Sequence, residues 1–106
     1  MIGVAGDQYI EANENFQKTM GKFLMAQYVR DKAMNKFGNA MRSFFVSSDI
    51  RPAGINQHVD TTHDEYHQAQ VDFYTSIEDL MKAKKELIKA TKKLLESLSE
   101  RGQETQ

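Results

Sequence analysis

The sequence contains no cysteine and no tryptophan, and only one proline in 106 residues. The absence of cysteine excludes disulfide bonds, thiol catalysis and thiolate metal sites. A single proline is compatible with long helices, because proline disrupts a helix interior. No apolar run approaches the roughly 18 residues of a membrane span, and the first six residues are too short and too neutral to act as a cleavable signal peptide.

The sequence also has little excess of charge of either sign, with a formal net charge of -1. No overall charge therefore attracts the chain to nucleic acid or to a membrane. The length predicts one domain at most. We expect a cytoplasmic protein, with export by a route that uses no cleaved leader as the open alternative.

The strongest pattern in the chain runs from Ala69 to Leu98. A row of small residues recurs every seven positions, a row of large residues lies beside it, and a third apolar row follows the large one. The small row is Ala69, Ser76, Ala83, Ala90 and Ser97, the large row is Phe73, Leu80, Leu87 and Leu94, and the third row is Tyr74, Met81, Ile88 and Leu95. This spacing predicts a long helix that packs closely against other helices.

The first part of the chain predicts another long helix, because its apolar residues follow spacings of three and four. Gln27 and Arg30 fall where this stripe should be apolar, which indicates either a drift of the stripe, the favoured interpretation, or a polar layer that fixes the register. Gly21 and Gly38 weaken the helix. The favoured interpretation of both glycines is close approach of a neighbouring helix, and the alternative is a hinge.

Two long helices joined by one break predict an antiparallel helical hairpin. Pro52 and Gly54 mark the break, and Thr62 with Glu65 fits a capping box at the start of the second helix. The predicted segments are a loose arm over 1–6, a single domain over 7–101 and a frayed tail over 102–106. Within the domain, we expect helix 7–47 with Asp7 as its N-cap, loop 48–61, and helix 62–101 with Arg101 and Gly102 as stop signals.

Each predicted helix has about three apolar positions per heptad, which is wider than the two of a simple two-stranded seam. The surplus needs further cover. We therefore expect an all-α hairpin that assembles into a four-helix bundle or larger homo-oligomer, with a dimer favoured, or that pairs with a different helical chain as a coiled coil. The predicted interface residues are Tyr74, Met81, Ile88, Leu95, Ala83, Ala90, Phe37, Met41, Phe44 and Phe45.

His63 and His67 are the candidate metal ligands, because histidines four residues apart lie on one face of a helix. His58 and Asp60 could complete such a set. The hydrolytic zinc motif requires glutamate directly after the first histidine, and Asp64 stands there instead. Ordinary surface histidines are therefore the favoured interpretation, a pH-responsive interface is a further one, and no cofactor is expected.

The outer face of the second helix is rich in lysine. Five residues share that face, namely Lys82, Lys85, Lys89, Lys92 and Lys93. They could contact phosphates at a lipid surface or in nucleic acid, but neither aromatic residues nor arginines lie among them to read bases. A solvated face is the favoured alternative. We expect no nucleic-acid partner, and we rank a membrane surface below a helical protein partner.

The sequence lacks the common catalytic motifs: it has no glycine-rich phosphate loop, no serine in a nucleophile turn and no Glu-x-x-His pair for a di-iron bundle. We therefore expect a non-enzymatic helical interaction or assembly protein of the phage-assembly, secretion-partner or chaperone type. The alternative is a peripheral binder of anionic surfaces that acts through the lysine face.

The expected architecture is similar to that of the small secreted hairpins of type VII secretion systems. Those hairpins carry Trp-x-Gly in the turn and a Tyr-x-x-x-Asp/Glu signal late in the chain. Here the turn reads Pro52, Ala53, Gly54 without tryptophan, and the Tyr-x-x-x-Glu spacing of Tyr74 and Glu78 lies in the middle of a helix. The resemblance is one of architecture and does not assign the chain to that family.

Overall fold

A computed structural model gives an all-α fold of two long helices. α1 spans Ile2–Val46 and α2 spans Ile55–Glu104, and the two form an antiparallel hairpin, which confirms the predicted fold class. The structure describes residues 2–46 and 54–104. The predictions made for residues 47–53, including the helix break at Pro52, lie outside the described residues.

The two helices contribute to two compact units. Unit 1 consists of Met1–Lys22 and Ile77–Gln106, and unit 2 consists of Phe23–Ser76. Each unit therefore contains one segment of α1 and one segment of α2, and packing is described below within each unit.

The outer ends of the helices extend further than the sequence predicts. α1 begins at Ile2, so the predicted loose arm is wrong: Ala5 is buried, and Asp7 lies inside the helix and is not its N-cap. α2 continues to Glu104, so Gly102 does not end it. A glycine costs a helix only about 1 kcal/mol relative to alanine, so it is a weak stop signal unless the backbone also turns.

α2 begins at Ile55, well before the predicted start at Thr62. Gly54 directly precedes it with a φ of 82°, and its carbonyl accepts a hydrogen bond from the His58 backbone N–H at 2.9 Å. Glycine adopts this left-handed conformation without the steric cost that an L side chain would add. The turn residue was predicted correctly, but residues 55–61 of the predicted loop are helical.

Thr62 is an interior residue of α2, so the predicted capping box is wrong. Its Oγ1 donates to the backbone carbonyls of His58 at 2.8 Å and Val59 at 3.0 Å, and Thr62 is only 3% exposed. Glu65 instead forms an ion pair across the hairpin with Lys36 of α1, at 3.9 Å. A threonine hydroxyl can donate a hydrogen bond to a carbonyl of the preceding helical turn. The sequence pattern of a capping box is therefore produced here by a threonine that is buried inside the helix.

Replacing Thr62 by valine is expected to change the free energy of unfolding by less than about 0.5 kcal/mol. Valine has the same shape and a similar helix propensity, and both carbonyl partners keep their bonds within the helix. The same replacement at an N-cap would lose about 1 kcal/mol. Urea denaturation of this variant, with the exposed Thr61→Val as control, measures the difference, and a loss of 1 kcal/mol confined to Thr62→Val would restore the capping interpretation.

Arg30 keeps its place in the row of large residues along α1, so the favoured interpretation of a drifting stripe is wrong. This row recurs every seven residues and consists of Tyr9, Phe16, Phe23, Arg30, Phe37 and Phe44, all of them half-buried. The Arg30 guanidinium carbon lies 4.1 Å from the ring centroid of Phe73, and its Nε and Nη2 donate to Asp31 Oδ1 at 3.2 and 2.9 Å. The flat guanidinium therefore packs as a ring would while its charge is paired.

Gly21 and Gly38 are not sites of close helix approach, so the favoured interpretation of both glycines is wrong. Both are exposed, and a Cβ added at either position would meet nothing within 4 Å. α1 runs through both positions without interruption. The glycines therefore weaken the helix locally with no packing gained in return.

Gly21→Ala and Gly38→Ala are each expected to raise the free energy of unfolding by about 1 kcal/mol, because alanine lowers the backbone entropy lost on forming a helix. Gly54→Ala is the contrasting variant, since it places a Cβ on a residue with positive φ and should lower the same quantity by about 1 kcal/mol. Urea denaturation gives all three values. If Gly21→Ala destabilised the hairpin, a contact at that position would have to exist.

Candidate protein-interaction surface

Small residues line the seam between the two helices. In α2 the row begins one heptad earlier than predicted, and its members Thr62, Ala69, Ser76, Ala83 and Ala90 are all buried. In α1 a matching row is formed by Ala5, Ala12, Thr19, Ala26, Ala33 and Ala40, each buried or half-buried. Ala12 and Ala90 line one groove in unit 1, and Ala33 and Ala69 line another in unit 2. The two small rows therefore face each other.

The α1 row of small residues is the feature that reasoning from large apolar side chains misses. Its signal is nevertheless present in the sequence, because every alanine except Ala53 belongs to one of the two rows. Alanines spaced by seven on both helices permit close approach of the two backbones. A search for small residues at heptad spacing would have found the seam on both sides.

The large rows of both helices lie beside this seam and meet each other. In unit 2 the rings of Phe23 and Phe73 have centroids 5.4 Å apart, and those of Phe37 and Tyr66 are 5.9 Å apart. Phe73 is buried at 8% exposure beneath Arg30, whereas the other described members of the large rows are only half-buried. No described large side chain is fully buried. One hairpin therefore leaves the large rows partly uncovered.

Exposed apolar residues flank the large rows. On α2 these are the predicted third row, Tyr74, Met81, Ile88 and Leu95, which are 46% to 60% exposed. On α1 they are Ile10, Leu24, Met34 and Phe45, which are 46% to 67% exposed. Within each unit, the large rows and these flanking residues together are called the open face below.

The remaining predicted interface residues fall into two groups. Ala83 and Ala90 are buried in the seam at 3% and 7% exposure, so they contact α1 and are not available to a partner, and their assignment to an intermolecular interface is wrong. Phe37 and Phe44 belong to the large row of α1, Met41 lies beside that row, and all three are half-buried. The small row was misassigned because one helix alone does not reveal which of its rows meets the other helix.

On the opposite side of the seam the two edges carry charged residues of opposite sign, and in unit 2 the exposed side chains of Tyr28 and Val29 lie among them. In unit 2 a groove of about 530 Å³ has Lys32 and Lys36 on the α1 edge and Glu65 and Asp72 on the α2 edge. In unit 1 a groove of about 380 Å³ is lined by Glu11 on the α1 edge and by Lys89 and Lys93, with Glu86, on the α2 edge. Opposite charges across each groove favour the antiparallel pairing of α1 and α2.

The lysine face of α2 is exposed, and part of it lies beside carboxylates. Lys82, Lys85, Lys89, Lys92 and Lys93 are all exposed, as predicted for a solvated face. Two of them, Lys89 and Lys93, share their groove with the carboxylates of Glu11 and Glu86. Nearby carboxylates reduce the attraction of a lysine cluster for phosphate, so the geometry gives little support to the anionic-surface alternative.

The two candidate metal ligands stack on each other. The rings of His63 and His67 lie 6.5 Å apart at an interplanar angle of 9°, Phe37 contacts His63 edge-on at 5.3 Å, and His63 Nδ1 lies 3.5 Å from Asp64 Oδ1. Among residues 2–46 and 54–104, no group of three or more histidine, aspartate or glutamate side chains is arranged to hold a metal ion. The ligand set predicted with His58 and Asp60 is therefore not formed.

Neither α1 nor α2 contains, within the described residues, a segment that is both long enough and apolar enough to cross a lipid bilayer. Comparison with models of protein families, with curated proteins and with solved structures finds no match to this chain. The seam, the open face and the charged edges therefore carry the functional proposal.

Proposed function

We propose that this chain is a non-enzymatic helical interaction protein whose open face binds an apolar helical surface. The observation that carries the proposal is the heptad row Tyr74, Met81, Ile88 and Leu95, exposed along α2 beside large side chains that the hairpin leaves half-buried. A contiguous exposed apolar patch of this kind is typical of a protein interaction site.

The expected binding energy comes mainly from burial of these side chains. Covering a leucine, isoleucine or methionine side chain that was exposed contributes about 1.5–3 kcal/mol when the burial is complete. Anchors that recur at heptad spacing suit an approaching helix better than an extended strand or a small ligand. Assembly, secretion partnership and chaperoning are the roles that use such a contact, and completing a four-helix bundle is its simplest form.

The proposal is tested by a photo-crosslinking amino acid introduced at Ile88 on the open face in the cells that produce the protein. The control is the same group at Lys85, which is exposed on the outer face of α2. We expect a crosslink from position 88 to a helical protein, either a second copy or another chain, and none from position 85. Equal crosslinking at the two positions, or none at position 88, would contradict the proposed function.

A further inference from the structure

We infer that the groove of unit 2, which lies on the side of the seam away from the open face, is a second docking site. Its occupant is an amphipathic helix of another protein that has carboxylates along one edge of its apolar row and basic side chains along the other. Three observations carry the inference: exposed apolar residues that the hairpin does not need, the form of the groove, and the opposite charges of its two edges. All residues that line the groove belong to unit 2.

One segment of α1 is apolar on every side. Residues 23–29, which make about two helical turns, are apolar or aromatic except for Gln27. A helix that is apolar all round is typical of one that is covered all round. Met25, Tyr28 and Val29, which do not belong to the open face, nevertheless remain 63%, 62% and 47% exposed. The hairpin therefore leaves this segment uncovered on a second side.

The hairpin itself does not require apolar residues at these positions. The other members of the heptad row of Val29 are all polar and exposed, namely Gln8, Asn15, Lys22, Lys36 and Ser43. Tyr28 is likewise the only large apolar or aromatic member of its row. In unit 1, Gln8 precedes Val29 by three whole heptads and lines the groove beside the seam residue Ala12. A polar side chain therefore suffices at this position, and Val29 and Tyr28 are available to a partner.

The groove of unit 2 has a form that suits a helix. It measures about 530 Å³, and the seam residues Ala33 and Ala69 line it together with Tyr28 and Val29. Met25, Tyr28 and Val29 follow one another at spacings of three and four along α1. Apolar side chains on a docked helix recur at the same spacings, which is the pattern of helix-in-groove recognition.

The two edges of the groove decide the chemistry of the occupant. Lys32 and Lys36 lie on the α1 edge, and Glu65 and Asp72 lie on the α2 edge. The Lys36–Glu65 ion pair is long at 3.9 Å, and Lys32 has no ion-pair partner within the part of the chain that the structure describes. A helix of uniform charge would be attracted to one edge and repelled by the other. The occupant therefore presents carboxylates to α1 and basic side chains to α2.

The direct test measures binding of a labelled helical peptide by fluorescence anisotropy. The peptide has leucine at heptad spacing, glutamate along one edge and lysine along the other, and is kept at a concentration at which it is monomeric. Val29→Gln, which makes this position like Gln8, should raise the dissociation constant about 10-fold, because burial of a valine side chain contributes about that factor. Leu24→Gln is the matched control, since it removes a similarly exposed side chain from the open face of unit 2, and should change the constant less than about 2-fold.

Equal weakening by the two substitutions, weakening by Leu24→Gln alone, or no binding of the peptide to the unaltered chain would overturn the inference. Circular dichroism checks that both variants keep the helices of the hairpin. Crosslinking at position 88 tests the proposed function separately, because Ile88 belongs to the open face of unit 1 and does not line this groove.

A charge reversal on one edge provides the second readout. Lys32→Glu with Lys36→Glu makes both edges acidic, so the dissociation constant of the two-sided peptide should rise about 10-fold, whereas a peptide with lysine on both edges should bind more tightly than it binds the unaltered chain. The control with the same change in net charge is Lys82→Glu with Lys85→Glu on the exposed outer face of α2, which should leave both constants within about 2-fold. An unchanged preference between the peptides in the first variant, or the same change in both variants, would overturn the inference.

Discussion

Replacing Ala83 by leucine is expected to lower the free energy of unfolding by about 3 kcal/mol, at the upper end for overpacking of a well-packed site. Ala83 is only 3% exposed in the seam of unit 1, and α1 presents a row of small residues of its own on the other side. Three added carbon atoms can be accommodated only by separating the two helices, which would reduce burial along the whole seam. Urea denaturation followed by circular dichroism measures the loss.

The matched control for this variant is Lys82→Leu, which introduces the same side chain at the neighbouring exposed position. Lysine and leucine have similar helix propensities, so this control should change the free energy of unfolding by less than about 0.5 kcal/mol. Equal effects of the two substitutions would mean that Ala83 does not lie in a tightly packed seam, and the assignment of the small rows would then be wrong.

We expect the chain to dimerise through its open face, and we expect the double substitution Met81→Glu with Ile88→Glu to convert that dimer to a helical monomer. Both side chains are about half exposed in the hairpin, and each would lose at least about 1.5 kcal/mol of burial on association. The dissociation constant should therefore rise more than about 100-fold. Light scattering after size exclusion measures the mass, and circular dichroism checks that the helices remain.

The control for the dissociation experiment adds the same two charges away from the open face, as Asn15→Glu with Thr75→Glu. Both residues are exposed, and Asn15 lines the polar groove of unit 1. This variant should keep the mass of the dimer. Dissociation by both double variants would indicate a general effect of negative charge, and retention of the dimer by both would place the interface elsewhere.

The hairpin could be predicted from the sequence because large residues recur at helical spacing over both halves of the chain, with one break between them. The helix ends could not. Asp7, Thr62 and Gly102 each carry a local start or stop signal, yet all three lie inside helices. Local signals of this kind contribute about 1 kcal/mol to the stability of a helix. Burial of residues such as Ala5 and Thr62 can outweigh that contribution.

The open face was predicted in part. Tyr74, Met81, Ile88 and Leu95 were identified as surplus apolar residues, and the hairpin leaves them exposed. Ala83 and Ala90 were placed in the same interface, but they lie in the seam. The pattern of one helix shows which rows share a side, whereas the choice of row for the seam depends on the matching small row of α1.

The central claim is that one hairpin leaves large apolar side chains uncovered, and we expect a second copy to cover them. The most direct measurement is the mass of the purified chain by light scattering over a wide range of concentration. The account predicts a mass twice the 12.2 kDa of one chain, with dissociation only on dilution. A constant mass of 12.2 kDa over the whole range would contradict it.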